Sequence, residues 1–176
     1  MIYTNTLESS TRKKIDLILT NLGWDTIEDS PSCNVFTERA KTTEQNKRLK
    51  GRQPDYILYH SNTDEPIAVI EAKKKGENID KALKQGIEYY AKPLGVDLVF
   101  AIDGTFVKTW HIKANKELSV DGEAIHDLLR ENQILQHIRD GADIELSKEI
   151  KYTREELIKI FKWGNEQLRK EGLRSL

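Results

Sequence analysis

A glutamate stands inside the most apolar run of the chain, Ile67-Ala68-Val69-Ile70-Glu71-Ala72-Lys73. Length and β-branched content make that run a strand. Asp55-Tyr56-Ile57-Leu58-Tyr59-His60, just upstream, has the same character, and the Ser61–Pro66 stretch between them is rich in turn residues. The two runs therefore form a hairpin. Alternation along the second strand puts Val69, Glu71 and Lys73 on one face, and the pairing brings Asp55 beside Glu71. An ionised carboxylate among Ile67, Ala68, Val69, Ile70 and Ala72 needs a partner or a metal.

Elements on either side extend the pattern. Ile15, Ile18, Leu19 and Leu22 recur at helical spacing, which predicts a helix from Thr6 to Leu22, stopped by Gly23. Asn34–Thr37 reads as a short strand, and the basic stretch after it as a loop. Asp80 or Asn78 caps a second helix that runs to Lys92 and ends before Pro93 and Gly95. Leu98–Ile102 and Thr105–Trp110 are strands joined by Asp103-Gly104. A further helix is expected over Glu123–Arg139. Thr153 and Glu156 form a capping box before a last helix containing Leu157, Ile160, Phe161 and Leu168. The order helix, three strands, helix, two strands predicts an α/β fold, a small mixed sheet flanked by helices. Residues 1–145 are read as the domain and 146–176 as a helical extension leading towards a longer protein.

Composition narrows the function classes. With 28 basic and 29 acidic side chains the net charge is -1, so an anion-binding surface must be local. Arg39, Lys41, Lys47, Arg48, Lys50 and Arg52, set against Glu44 alone, are either that surface or a solvated loop. A single cysteine, Cys33, excludes a disulfide framework and a cysteine-rich zinc site. No apolar run is long enough for a transmembrane helix and the N-terminus lacks a signal peptide, so a cytoplasmic protein without membrane contact is expected. Phosphate-loop, dinucleotide-binding and nucleophile-elbow motifs are absent. His60, His111, His126 and His137 lack the companions of a zinc site and read as surface or partly buried histidines.

What remains is Asp55, Glu71 and Lys73. Two converging acids and nearby backbone oxygens would suit Mg²⁺, with the lysine placed to stabilise charge developing on a phosphoryl group. A structural Glu71–Lys73 pair is the other reading. A second Glu-x-Lys, Glu149-Ile150-Lys151, lacks both the apolar strand and the upstream Pro-Asp. Glu8 projects from nearly the same helix face as Ile15 and is either a capping residue behind Asn5 or a further acid facing the core.

Pro54-Asp55, Glu71-Ala72-Lys73 and then Gln85-Gly86-Ile87-Glu88-Tyr89 resemble the PD-(D/E)XK nuclease superfamily. More narrowly they resemble the N-terminal nuclease domain of type I restriction endonuclease R subunits, a domain also found fused to DNA methyltransferases. Asn21-Leu22-Gly23-Trp24, Arg52-Gln53-Pro54-Asp55-Tyr56 and Ile102-Asp103-Gly104 fit the same family.

The resemblance implies a restriction-endonuclease-like mixed central sheet and Mg²⁺-dependent cleavage of double-stranded DNA, with Mn²⁺ able to substitute. Asp55, Glu71 and the carbonyl of Ala72 would be metal ligands and Lys73 the catalytic lysine. The upstream acid would be Glu8, with Glu38 as the competitor. Gln85 and Tyr89, otherwise a polar helix residue and a packing aromatic, would support the active site. Lys47, Arg48, Lys50, Arg52, Lys74 and Lys75 would meet DNA phosphates. Specificity would come from other domains or subunits: a helicase motor, a methyltransferase or a specificity subunit. The alternatives are a catalytically silent nucleic-acid-binding or docking module of the same fold and a junction or repair nuclease.

Overall fold

Helical apolar spacing produces α1 (Ile2–Asn21), which buries Ile15 and Leu19 completely. Gly23, at φ +92°, turns the chain out of it. The structure is a computed structural model that describes residues 2–73 and 76–146 and the short pieces 158–159, 162–163 and 166–167, without the side chains of residues 2–8. Lys74 and Lys75, and the capping box and apolar positions expected of the last helix (Thr153, Glu156, Leu157, Ile160, Phe161 and Leu168), lie outside the described residues.

Five strands make the main sheet: β1 (Val35–Phe36), β2 (Tyr56–Tyr59), β3 (Pro66–Ala72), β4 (Leu98–Ile102) and β5 (Val107–His111), in spatial order of sequence. All neighbours are antiparallel except β3 and β4, which run parallel. The mixed sheet expected from the sequence is thus observed. A parallel pair needs a crossover, and here it consists of α3 (Ile79–Gln85), a π-helical segment (Gly86–Ala91) and the single turn α4 (Lys92–Leu94). Asn78, not Asp80, caps it: its side chain accepts from the N–H groups of Asp80 and Lys81. The crossover does not stop before Pro93. The proline lies inside the continuous helical run at the start of α4, and Gly95 in the left-handed region ends the helix.

Both faces of the sheet are covered, which explains why β2 and β4 are buried at every residue. Tyr56, Leu58, Ile70 and Phe100 pack on one side with Ile15 and Leu19 of α1 and with Ile134. Ile57, Val69, Val99 and Ala101 pack on the other with Ala82, Leu83, Tyr90 and Leu94 of the crossover. Glu71, two residues beyond Val69, therefore points towards the crossover helix.

Three local expectations change. The basic stretch is not a loop throughout: Thr42 and Gln45 form a reciprocal capping box that starts α2 (Thr43–Leu49), and Leu49 is buried. Asp103-Gly104 does not close a two-residue hairpin. Asp103 Oδ1 accepts from the backbone N–H groups of Thr105 and Phe106 and from the Thr105 hydroxyl, which holds a wider loop and delays β5 to Val107. Glu123 does not begin a helix. It lies in β7 (Glu123–Ala124), which pairs with β6 (Ser119–Val120) across Asp121-Gly122, both at positive φ. The helix there, α5 (Glu131–Asp140), starts later and leads into β8 (Asp143–Ile144), which completes a second, three-stranded sheet.

Candidate active site

The pairing of Tyr56 with Ile70 sets the register of the central hairpin, so Asp55 and Glu71 stand opposite each other one step beyond it. Asp55 is held from the backbone of β3 and from α1. Its Oδ2 accepts from the N–H of Ala72 at 2.8 Å, and its Oδ1 from Arg12 Nη2 at 3.2 Å. In a strand the N–H and C=O of one residue project to the same side. The Ala72 carbonyl is thereby directed to the side on which Asp55 lies.

Glu71 is only 4% exposed. Lys73 Nζ lies 3.5 Å from its Oε1, while its Oε2 is buried without a hydrogen-bond partner. Burial, and then the neighbouring Asp55 carboxylate, push the Glu71 pKa up to about 8 against the smaller pull of Lys73. Two acids side by side with one unsatisfied oxygen form a site that gains from a shared cation. Carboxylate and carbonyl oxygens suit a hard ion such as Mg²⁺ or Mn²⁺. Among the described residues no three His, Cys, Asp or Glu side chains converge as a ready cage.

The crossover helix supplies the wall. Gly86 approaches the sheet so closely that a Cβ there would lie 2.9 Å from Val99 Cγ1 and 3.6 Å from the Glu71 Cβ. That approach aims Gln85 at the site, where its Oε1 accepts from Lys73 Nζ at 3.3 Å. A π-helical bulge begins at this point, as such bulges often do beside functional groups. Tyr89, four residues on, does not join Gln85 at Lys73. It is 41% exposed and lies beneath the Arg52 guanidinium, 4.0 Å from its ring centroid. The buried neighbour Tyr90 is the tyrosine near the acids. Burial first, then the charges of Glu71 and Asp55, raise its pKa.

Glu38 sits beside Asp55. Its N–H donates to the Pro54 carbonyl at 2.8 Å, and its Oε1 accepts from Arg12 Nη1 at 3.0 Å. The backbone of Glu8 lies in α1, but its side chain is outside the described residues. Of the basic positions, Lys47 and Arg48 lie on α2, where Arg48 pairs with Glu44 at 2.7 Å, and Lys50 is its left-handed C-cap. Among the described members of this DNA-contact set, Arg52 alone reaches a side chain of the Gln85–Tyr89 segment. Sequence reading missed Arg12 and Tyr90. Arg12 lies 43 residues from Asp55, a separation that leaves no local signal, whereas Tyr90 follows Ile87 by the three-residue step of a buried helix face.

Comparison with known proteins converges on the same sheet. Residues 36–107 match the family model of the type I restriction enzyme R protein N terminus. The match to the R protein N terminus runs from β1 to the first residue of β5, and so contains Asp55, Glu71, Lys73 and Gln85. The chain is also 37% identical over 92 residues to the type I restriction enzyme EcoAI endonuclease subunit of Escherichia coli. That alignment covers 48% of this chain and spans about 10% of the relative's length. No solved structure matches the chain. The resemblance to the N-terminal domain of type I restriction enzyme R proteins is therefore carried by sequence, and the α/β sheet is consistent with it. Among the described residues no helix is long and apolar enough to cross a membrane.

Proposed function

We propose that this chain is a PD-(D/E)XK-type nuclease domain that hydrolyses phosphodiester bonds of double-stranded DNA with Mg²⁺, for which Mn²⁺ can substitute. The observation that carries the reading is the buried, unpartnered Oε2 of Glu71 between Asp55 and Lys73. A carboxylate so placed has no structural use that an apolar residue would not serve better. That the Escherichia coli relative is an endonuclease subunit supports the same reading.

Asp55, Glu71 and the Ala72 carbonyl would hold the ion, with Glu8 or Glu38 as the upstream acid. A bound divalent cation supplies Lewis-acid polarisation of the phosphoryl oxygen and a more acidic water. The rest falls to the protein. Gln85 holds the Lys73 ammonium towards the acids, where it can orient the attacking water or neutralise charge on the phosphorane-like transition state. Arg52, braced on Tyr89, presents a planar cation to the phosphate backbone. Lys47, Arg48, Lys50, Lys74 and Lys75 extend that contact. Sequence specificity, and any motor or methyltransferase activity, would belong to other domains or subunits.

The test is cleavage of a plasmid or long duplex in Mg²⁺ by the wild type, Glu71→Ala and Lys73→Ala, with duplex binding measured in parallel. Loss of cleavage by about 100-fold or more with binding retained is expected. Cleavage that survives either substitution would remove the assigned centre. A wild type that binds the duplex and never cuts it, alone or with its partner subunits, would favour the silent docking module.

A further inference from the structure

Among the described residues, Arg12 is the one cation outside the Asp55–Glu71–Lys73 group that pairs with two acids of the site region. Its two terminal nitrogens reach Glu38 Oε1 at 3.0 Å and Asp55 Oδ1 at 3.2 Å. The backbone beneath it is fixed, because the buried Tyr56 hydroxyl lies 3.2 Å from the Arg12 carbonyl and 3.0 Å from Asp16 Oδ1. The side chain itself is 31% exposed and its outer partner, Glu38, 58%. The helix is pinned, then, while the guanidinium is held on the solvent side by an ion pair of the weak, exposed kind.

We propose that Arg12 is an exchangeable counter-ion: it neutralises Asp55 while the site lacks substrate and passes to a DNA phosphate when the duplex and a divalent cation enter. The inference rests on the nuclease reading above and adds a regulated substrate contact to it. Charge balance argues for it. With Glu71 ionised, as a bound cation requires, Asp55, Glu71 and Glu38 face Arg12 and Lys73, a formal deficit of one positive charge. A divalent ion on Asp55 and Glu71 converts the deficit into an excess of one, and a phosphodiester carries the single negative charge that restores neutrality. Two cations compete for Asp55 Oδ1, so the arrival of one weakens the hold on the other. A displaced guanidinium is a ready bidentate partner for phosphate oxygens.

The test is a pair of measurements on the whole chain. Calorimetric titration with Mn²⁺ compares the wild type with Arg12→Gln. Fluorescence anisotropy with a short duplex in Mg²⁺ compares Lys73→Ala with Lys73→Ala/Arg12→Gln, so that the strands stay intact. Arg12→Gln is expected to bind the metal about threefold or more tighter, because a competing charge has gone. It should bind the duplex about fivefold or more weaker, with a salt slope shallower by about one. A merely structural arginine would weaken both. Metal affinity unchanged or lowered, or duplex affinity unchanged, overturns the exchange while leaving the nuclease reading intact. A wild type that takes up no divalent ion with or without duplex overturns both.

Should Arg12→Gln fail to fold, Arg12→Lys keeps the charge but not the two-nitrogen fork. It should weaken duplex binding about twofold or more in the Lys73→Ala background. No loss would overturn the proposal.

Discussion

Glu71 is the residue on which the account turns, and its apolar surroundings make it pH-sensitive. Its folded pKa of about 8 lies well above the ordinary carboxylate value of 4.5. A raised carboxylate stabilises the fold fully below the unfolded pKa, and that contribution is lost as pH rises through the folded value. Unfolding of the metal-free protein should therefore show falling stability between pH 5 and 9. Glu71→Gln should flatten that fall and gain about 2 kcal/mol at pH 9 relative to wild type. Equal pH profiles for the two proteins would mean that Glu71 is not desolvated as described. Much of this was legible in the sequence. A charge inside Ile67–Ala72, a turn upstream and a second strand opening on Asp55 suffice to set the two acids together. Arg12 was not legible, because its partners Glu38 and Asp55 are brought to it only by the packing of α1 on the sheet.

The crossover helix shows what an element does for the site. Gly86 is required by close approach and not by backbone conformation, since its φ of -58° is ordinary for a helix. Gly86→Ala should cost about 1–3 kcal/mol in unfolding free energy and lower cleavage further by pushing Gln85 away from Lys73. Unchanged stability would show that the helix can retreat without penalty. The helix was foreseen, but its π segment was not, because the period of Ile79, Ala82, Leu83, Ile87 and Tyr90 fits an ordinary helix almost as well. Two further local signals stand in the sequence. Thr42-Thr43-Glu44-Gln45 carries a capping-box spacing, and Val120-Asp121-Gly122-Glu123 a hairpin signal. For α2, replacing Lys47, Arg48 and Lys50 with glutamate should weaken duplex binding and make its salt slope shallower by about two to three. Anisotropy titrations across a salt series that leave affinity unchanged would return α2 to a purely structural role.

Across the whole molecule, the sheet is arranged so that chemistry sits where packing stops. Strands β2, β3 and β4 are covered on both faces, and Asp55, Glu71 and Lys73 occupy the end at which β2 begins and β3 runs out. The second small sheet and α5 lie downstream of the stretch that matches the R protein N terminus. They are tied back by Trp24 Nε1, which donates to the Leu129 carbonyl at 2.9 Å, and by Glu131, which accepts from the Ser61 N–H and hydroxyl at 2.6 Å each. Such contacts join residues 105 and 70 positions apart, so this part of the fold was the least visible in sequence. The central claim concerns the acids at the sheet end, and calorimetric titration with Mn²⁺, with and without a short duplex, tests it most directly on the wild type and Asp55→Asn. The account predicts saturable binding by the wild type, tighter at pH 8 than at pH 6 because the Glu71 proton must leave, and weakened at least about tenfold by the substitution. Equal binding by both proteins, or none by either with duplex present, would contradict it.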